Sequence, residues 1–450
     1  MSFAQEINLS QSLDPQKEDQ MFTPPKTPPE DNEVKVKIVH PWPEPETEAE
    51  EGSSSKRRKI GPILDAISAD VKEFKVSHQE VLWLHAPKER YKHSKEQAIH
   101  TLNNDREMLV AVKAIGLNPI DWKAPDFGWG LPVLPAIAGR DLAGKVAIPP
   151  NTTSRFKQGD NVLAISTDYR DNRKAAFQQY TVVSDFNACK LPSHVTASQA
   201  APIGVAFVAA ALALGICAGL DFLGTDDRAR GPDLLRAVRA LPRDAIAKDI
   251  QEECFEGVKE DERAKAGDWI VIWGGSSASA CCAIQLAKLG GMKVIAVVDI
   301  ARSGDRMLKY GADLLVDRMD PARAIAIIKG VTNGKLRFAL DAVGRPTASI
   351  LAQTMCAELD SKSRAHLVGL VAVPKPAVDG VVSHSVPIKA FHEAPAVGEG
   401  LCIWLENLIA HDMIILPDIE IAEGGLGGIN TALDRLRDGS VNGPRIVVPL

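Results

Sequence analysis

The stretch with the clearest chemistry is Asp268–Asp299, DWIVIWGGSSASACCAIQLAKLGGMKVIAVVD. An apolar run of strand length, Trp269–Trp273, leads into a glycine pair and small hydroxylated residues at Gly274–Ser279. A helical run follows to Leu289, then a Gly-Gly break and a second apolar run, Val294–Val298, ending on Asp299. This β-α-β order, with an acid about 25 positions after the turn, is how a dinucleotide is held. The turn must be nearly free of side chains so that backbone N–H groups approach a pyrophosphate at the helix N-terminus. Read as G-x-x-G-x-x-G, the turn supplies Gly274, Ser277 and Ala280, so only the first glycine is kept. Gly275 adds backbone freedom, and the hydroxyls of Ser276, Ser277 and Ser279 are able to donate to phosphate. A strand–helix turn of another α/β protein is the plainer alternative.

The rest of the chain must position this stretch. At 450 residues it suits two domains plus extras, and 45% apolar residues is ordinary for a globular protein. A formal charge of −6 argues against a nucleic-acid-binding body. The seven cysteines are scattered and form no C-x-x-C pair, as in a reduced intracellular protein without a zinc ribbon. No signal peptide opens the chain. Its most apolar stretch, Ala200–Leu220, follows Pro202 and reads as a buried helix, although its length alone also suits a membrane span. The expected setting is the cytoplasm.

Residues 1–75 read as a disordered acidic, Pro-rich tail. The first 50 residues hold eight prolines, and residues 1–51 carry 12 acidic and 4 basic side chains. A basic cluster at Lys56–Lys59 is of the kind importins read, or is simply part of a flexible tail. From Val76, short strands punctuated by Gly and Pro indicate a compact β-barrel-like domain. Asp221–Gly267 reads as a helical insertion, with apolar residues at helical spacing in Asp233–Leu241 and Asp244–Val258. These two helices are expected to cover the cleft between domains and to help set acceptor size. After Asp299 the alternation of strand and helix continues to about 375, which completes a doubly wound sheet.

In this order the parts resemble the medium-chain dehydrogenase/reductase superfamily over roughly residues 76–450. The motifs are LNPIDWK (Leu117–Lys123), AGRDLAG (Ala138–Gly144), AFQQYTVV (Ala176–Val183), the β-α-β stretch, DAVG (Asp341–Gly344) and the closing NGPRIVVPL (Asn442–Leu450). The GGSSASA turn and the insertion look most like fungal trans-acting enoyl reductases. The resemblance implies an α/β fold: a GroES-like β-barrel domain at 76–205 and 376–450, and a Rossmann domain at 206–375 carrying the insertion 221–267.

The resemblance also bears on the chemistry. Zinc alcohol dehydrogenases place a cysteine ligand where Asn118 stands and a histidine ligand where Arg140 stands, and neither replacement suits zinc. The implied reaction is metal-free hydride transfer to the C=C bond of an α,β-unsaturated thioester or enone. The acyl substrate is small or carrier-bound, with a polyketide synthase as the partner and no role for nucleic acid or membrane. Lys123 matches the lysine that such reductases carry near the nicotinamide and acyl site; a solvated surface lysine is the plainer reading. Asp121 reads as structural. Many relatives carry a threonine in the active-site helix, but Gly204–Leu214 has none, and no tyrosine stands out as a proton donor. Asp299 favours NADH by accepting from the adenosine ribose, whereas many enoyl reductases use NADPH. Arg302 and Arg318 are placed for a 2′-phosphate or adenine, or are ordinary surface arginines. The cofactor is therefore NADP or NAD, with Gly369 and Leu370, at the end of a later strand, as further expected contacts. An NAD(P)H:quinone reductase and a non-catalytic dinucleotide-sensing regulator are the alternatives.

Overall fold

A computed structural model describes residues 74–450 apart from 225, 356–363 and 442. The tail expected over 1–75 and its Lys56–Lys59 cluster lie outside these residues, except for Phe74 and Lys75. Phe74 packs edge-on against Tyr180, with ring centroids 5.3 Å apart.

The first domain is antiparallel. It contains β1 (His78–Leu84), β2 (Lys92–Ala98), β3 (Glu107–Gly116), α1 (Ile120–Phe127), β4 (Ala136–Ile137), β5 (Asp141–Ile148), β6 (Asn161–Ile165), β7 (Tyr180–Ser184) and β8 (Ala188–Lys190). A small sheet runs β2-β1-β4. The larger sheet is built on β3, which pairs with both β5 and β7. Its ten residues alternate only weakly in exposure, because strands and packed side chains cover both faces. The core of this domain gathers Val81, Met108, Val110, Leu142 and Phe177.

A helical passage links the domains. Thr196 and Gln199 form a reciprocal capping box at the start of α2 (Ala197–Ala200). A 3₁₀ turn leads to α3 (Gly204–Leu212), which continues as a π-turn through Cys217. Ala197–Cys217 is long and apolar enough to cross a membrane, but 89% of its most apolar window is buried inside the protein. It serves as a core helix, as its alanine-rich composition suggests. The insertion follows, with α4 (Leu234–Arg239) capped by Asp233 and α5 (Gln251–Glu256).

The second domain alternates strictly: β9 (Trp269–Trp273), α6 (Ala278–Leu289), β10 (Lys293–Val298), α7 (Ile300–Lys309), β11 (Leu314–Asp317), α8 (Pro321–Val331), β12 (Phe338–Asp341), α9 (Arg345–Ala352), β13 (Ala365–Gly369) and β14 (Val381–Ser385). The sheet order is β11-β10-β9-β12-β13-β14, all parallel. Numbered by appearance this is 3-2-1-4-5-6, the doubly wound order, whose ligand crevice lies at the carboxyl ends where the order reverses, here between β9 and β12.

Two expectations need correction. The sheet takes its sixth strand from Val381–Ser385, so the nucleotide domain runs beyond 375. The following helices, α10 (Lys389–Glu393) and α11 (Pro395–Ala410), bury Phe391, Leu401, Trp404 and Leu405 in the core that also holds α3 and α6. The chain rejoins the first domain at β15 (Ile419–Ile421), passes through α12 (Gly425–Arg437) and closes with β16 (Arg445–Pro449) on β3. In the insertion, the second expected helix is only six residues long, because two 3₁₀ turns occupy Arg243–Ala245 and Lys248–Ile250. Its apolar residues do not line an open cleft either. Leu234, Leu235, Val238, Ile246, Cys254 and Val258 are all buried in a core that reaches from the nucleotide domain to Leu163, Ile165 and Cys189 of the first domain.

Candidate active site

The glycine turn sits at the carboxyl end of β9. Gly274 has φ +78°, and a Cβ there would lie 2.5 Å from a methyl group of Val343. Glycine is therefore required twice over, by the left-handed backbone and by the close approach of the β12–α9 turn. Ser277 caps α6, its hydroxyl accepting from Ala280 N at 3.3 Å. The hydroxyl hydrogen stays free for a phosphate oxygen. Ser276, one residue earlier, is exposed.

Two arginines from remote parts of the chain close over this turn. Arg306, on α7, donates to the Ser276 carbonyl at 3.5 Å. Arg445, at the start of β16, donates to the carbonyl of Leu117 and to Asn118 Oδ1, each at 2.7 Å. Both line one cavity with Ser276, Cys281, Tyr310 and Gly443. The Nε of each is buried without a partner, and neither makes an ion pair among the described residues. Burial lowers the pKa of Arg445. Two guanidiniums without an ion pair, each with an orphaned donor, at a helix N-terminus suit the pyrophosphate of a dinucleotide. The sequence reading missed both arginines, as neither lies in the β-α-β frame's turn.

At the adenosine end, Asp299 stands just past β10 and caps α7, one carboxylate oxygen accepting from Arg302 N at 3.2 Å. Its other oxygen takes no part in the helix cap. Arg302 and Arg318 are both exposed, and the backbone N–H of Arg318 bonds Val298 O at 2.9 Å, beside Asp299. The three side chains proposed for this end thus sit around one strand terminus. Gly369 and Leu370 lie past the switch point, where Leu370 N bonds Asp341 O at 2.9 Å. The neighbouring Asp341 carboxylate accepts from Val343 N and Gly344 N at 3.0 and 2.7 Å, which holds the β12–α9 turn.

The cluster expected to face the acceptor is buried and polar. Asn118 Nδ2 donates to Asp141 at 2.9 Å, and the other Asp141 oxygen accepts from Val205 N at 2.7 Å, at the start of α3. A side chain at Gly204 would collide with this carboxylate, at 2.7 Å. Asp121 accepts from Asn118 N at 2.8 Å, and its backbone carbonyl accepts from Tyr91 OH at 2.7 Å. Burial raises Asp121 to about 7 and Asp141 to about 6, against the lowering effect of their hydrogen bonds and of the nearby arginines. Arg140 stacks on Tyr169, its guanidinium carbon 3.7 Å from the ring centroid. Lys123 is half-buried on α1 with Nζ 5.6 Å from the Trp122 ring centroid; it does not line the arginine cavity. Tyr91 reaches this cluster through Asp121 and Tyr169 through Arg140, whereas Tyr310 lines the arginine cavity.

One constellation lies apart. Donor atoms of Cys217, Glu253 and His384 lie within 4.8 Å of one another. Glu253 and His384 Nδ1 are 2.6 Å apart, however, closer than the ~3.3 Å between two ligands of one tetrahedral zinc. They form a hydrogen bond, continued from His384 Nε2 to His366 Nδ1 at 2.9 Å, and the chain joins α5 to β14 and β13.

Residues 104–193 match the model of the alcohol dehydrogenase GroES-like domain, and residues 280–391 match that of the zinc-binding dehydrogenase family. The chain is 26% identical to a trans-enoyl reductase, grgB, of a Penicillium species, over 76% of this chain and 90% of that protein. It is 28% identical to a trans-enoyl reductase of Botryotinia fuckeliana, over 76% of this chain and 91% of the relative. Among solved structures it is similar to an alcohol dehydrogenase superfamily protein of Novosphingobium aromaticivorans, at TM-score 0.62 and 18% identity, covering 83% of this chain and 99% of the other.

Proposed function

We propose that this chain, which belongs to the medium-chain dehydrogenase/reductase superfamily, is a zinc-independent NAD(P)H-dependent reductase of the C=C bond in an α,β-unsaturated thioester or enone. The observation that carries this reading is the donor set opposite the cofactor turn. An amide, Asn118, and a guanidinium, Arg140, stand at the two positions where the zinc enzymes of the superfamily carry a metal ligand. The Asn118 amide is already shared between Asp141 and Arg445. Neither side chain supplies the lone pairs that zinc takes from thiolate or imidazole.

Bound nicotinamide would supply a hydride. The chain's own part is to hold the dinucleotide by the Gly274–Ser277 turn, Arg306 and Arg445, with Asp299, Arg302 and Arg318 at the ribose and Gly369 and Leu370 across the switch point. Lys123 and the polar cluster face the acceptor, where their task is orientation and stabilisation of charge developing on a carbonyl oxygen. The named relatives are trans-enoyl reductases. A carrier-bound acyl chain delivered by a polyketide synthase, in the cytoplasm, is part of the same proposal.

The test is NAD(P)H oxidation by purified full-length protein with crotonyl-CoA, an enone and a quinone, before and after treatment with a strong chelator. Reduction of the first two, unchanged by chelation, is expected. Turnover confined to quinone, or abolished by chelation and restored by zinc, overturns the reading.

A further inference from the structure

The one described partner of the Arg140 guanidinium is the Tyr169 ring. Its backbone is fixed on both sides: Ser166 N donates to its carbonyl at 2.8 Å, and the preceding Gly139 carbonyl accepts from Ala176 N at 3.0 Å. Gly139 has φ +82°, with the Phe177 ring lying 2.3 Å from where a Cβ would stand, so the kink that aims Arg140 is rigid. The side chain is 6% exposed, with Tyr169 stacked on one face of its guanidinium. Yet among the described residues Arg140 makes no side-chain hydrogen bond and no ion pair. The nearest carboxylates are engaged elsewhere: Asp121 accepts from Asn118 N, and the two oxygens of Asp141 accept from Asn118 and Val205. Asp121 acts on Arg140 through space, and no described residue accepts from its guanidinium.

None of the Arg140 nitrogens is among the enclosed donors that lack a partner, so they stay open to an acceptor that enters, and the planar fork suits a carbonyl oxygen. Asn118 connects this cation to the cofactor side: it bonds Asp141 beside Arg140 and accepts from Arg445, which lines the cavity over the glycine turn. We propose that Arg140 is the oxyanion-binding residue of this site, donating to the carbonyl oxygen of a thioester or enone acceptor. The inference rests on the reductase reading above. As hydride adds to the β-carbon with its electron pair, the C=C pair moves to join the α-carbon to the carbonyl carbon. The carbonyl π pair moves onto oxygen, where Arg140 donates to the resulting enolate. A proton from solvent then adds to the α-carbon and the carbonyl reforms. The substrate gains one hydride and one proton, and the dinucleotide is oxidised. Tyr169 acts as a positioning residue that keeps the guanidinium plane fixed.

Two measurements on wild type and Arg140→Gln decide this. The first is titration of acetoacetyl-CoA, whose thioester oxygen is a non-reacting probe, in the presence of NADP⁺. Affinity is expected to fall at least tenfold in the variant, with NADP⁺ affinity changed less than twofold. The second is turnover of crotonyl-CoA, expected to fall about 10²–10³-fold, the usual loss on removing an oxyanion donor. Equal acetoacetyl-CoA affinity in the two proteins overturns the assignment whatever the turnover. If wild type reduces no enoyl acceptor but the affinity loss is found, the carbonyl site stands and the reductase reading falls. If Arg140→Gln does not fold, Arg140→Lys carries the comparison, since an ammonium keeps the charge and loses the planar fork. At least threefold weaker probe binding is expected there, and unchanged binding again overturns the assignment.

Discussion

At the scale of single residues, the acceptor cluster sets charge against burial. Asp121 is raised from 3.8 to about 7, chiefly because it is buried, so the folded protein holds a proton that the unfolded chain releases. The sign follows from linkage. Between about pH 4 and 7 the native state binds more protons than the unfolded state, so this group's contribution to stability falls as pH rises and then levels off. Asp141, raised to about 6, acts in the same direction; Arg445 opposes the rise at both and Arg140 at Asp121. Asp121→Asn keeps an acceptor for Asn118 N and removes the titration. Relative to wild type it should gain roughly 2 kcal/mol between pH 5 and 8 in urea unfolding; parallel pH profiles would sink this. At the other end of the site, Asp299→Ser should shift preference towards NADPH by about one to two decades, because the carboxylate would no longer oppose a 2′-phosphate. An unchanged NADH-to-NADPH ratio would show that Asp299 serves only as the cap of α7. Asp299 and Gly274 were legible because strand, turn and acid follow one another in sequence. Arg306 was not, since an arginine on an amphipathic helix looks like any solvated one until the turn 30 residues away is folded against it.

The elements were legible wherever one period dominated. The continuous apolar runs of β9 and β10 mark strands buried on both faces. In the insertion, helical spacing reports which residues are buried, not what buries them. Its apolar side joins the nucleotide-domain core, and its polar residues are anchored as well. Glu253 bonds His384, His384 bonds His366, and Glu262 takes two bonds from Arg364 at 2.8 and 2.7 Å. Burial holds His366 down at about 3, so the inner member of this chain is neutral at working pH. His384→Ala would leave both Glu253 and His366 without their partner. The expected cost is about 2–4 kcal/mol in denaturant unfolding, with dinucleotide affinity unaffected. A loss below 0.5 kcal/mol would mean that the chain is incidental to how the insertion is held.

At the scale of the whole molecule, the last strand joins the two halves of the proposed site. β16 belongs to the first domain through its pairing with β3, yet its first residue faces the glycine turn of the second. Arg445 meets Asn118 across 327 residues of sequence, a juxtaposition that no local pattern records. The same side chain touches the acceptor cluster through Asn118 and the cofactor cavity through its unpartnered Nε. Arg445→Met keeps much of the stem's packing and removes the charge. Loss of a charged hydrogen bond to pyrophosphate is worth roughly 1.5–3 kcal/mol, or about one to two decades in affinity. The expected outcome is weaker binding of NADH and NADPH by the same factor, because pyrophosphate is common to both, and a steeper loss at low than at high salt. That pattern separates Arg445 from Asp299, whose replacement changes the ratio between the two cofactors. Fluorescence titration of each dinucleotide against wild type and variant decides the matter. If the variant melts earlier yet binds both cofactors as wild type does, Arg445 serves only to tie β16 to the Leu117–Asn118 turn. The bridge between domains would then be structural, and the pyrophosphate would rest on Arg306 and the α6 N-terminus alone.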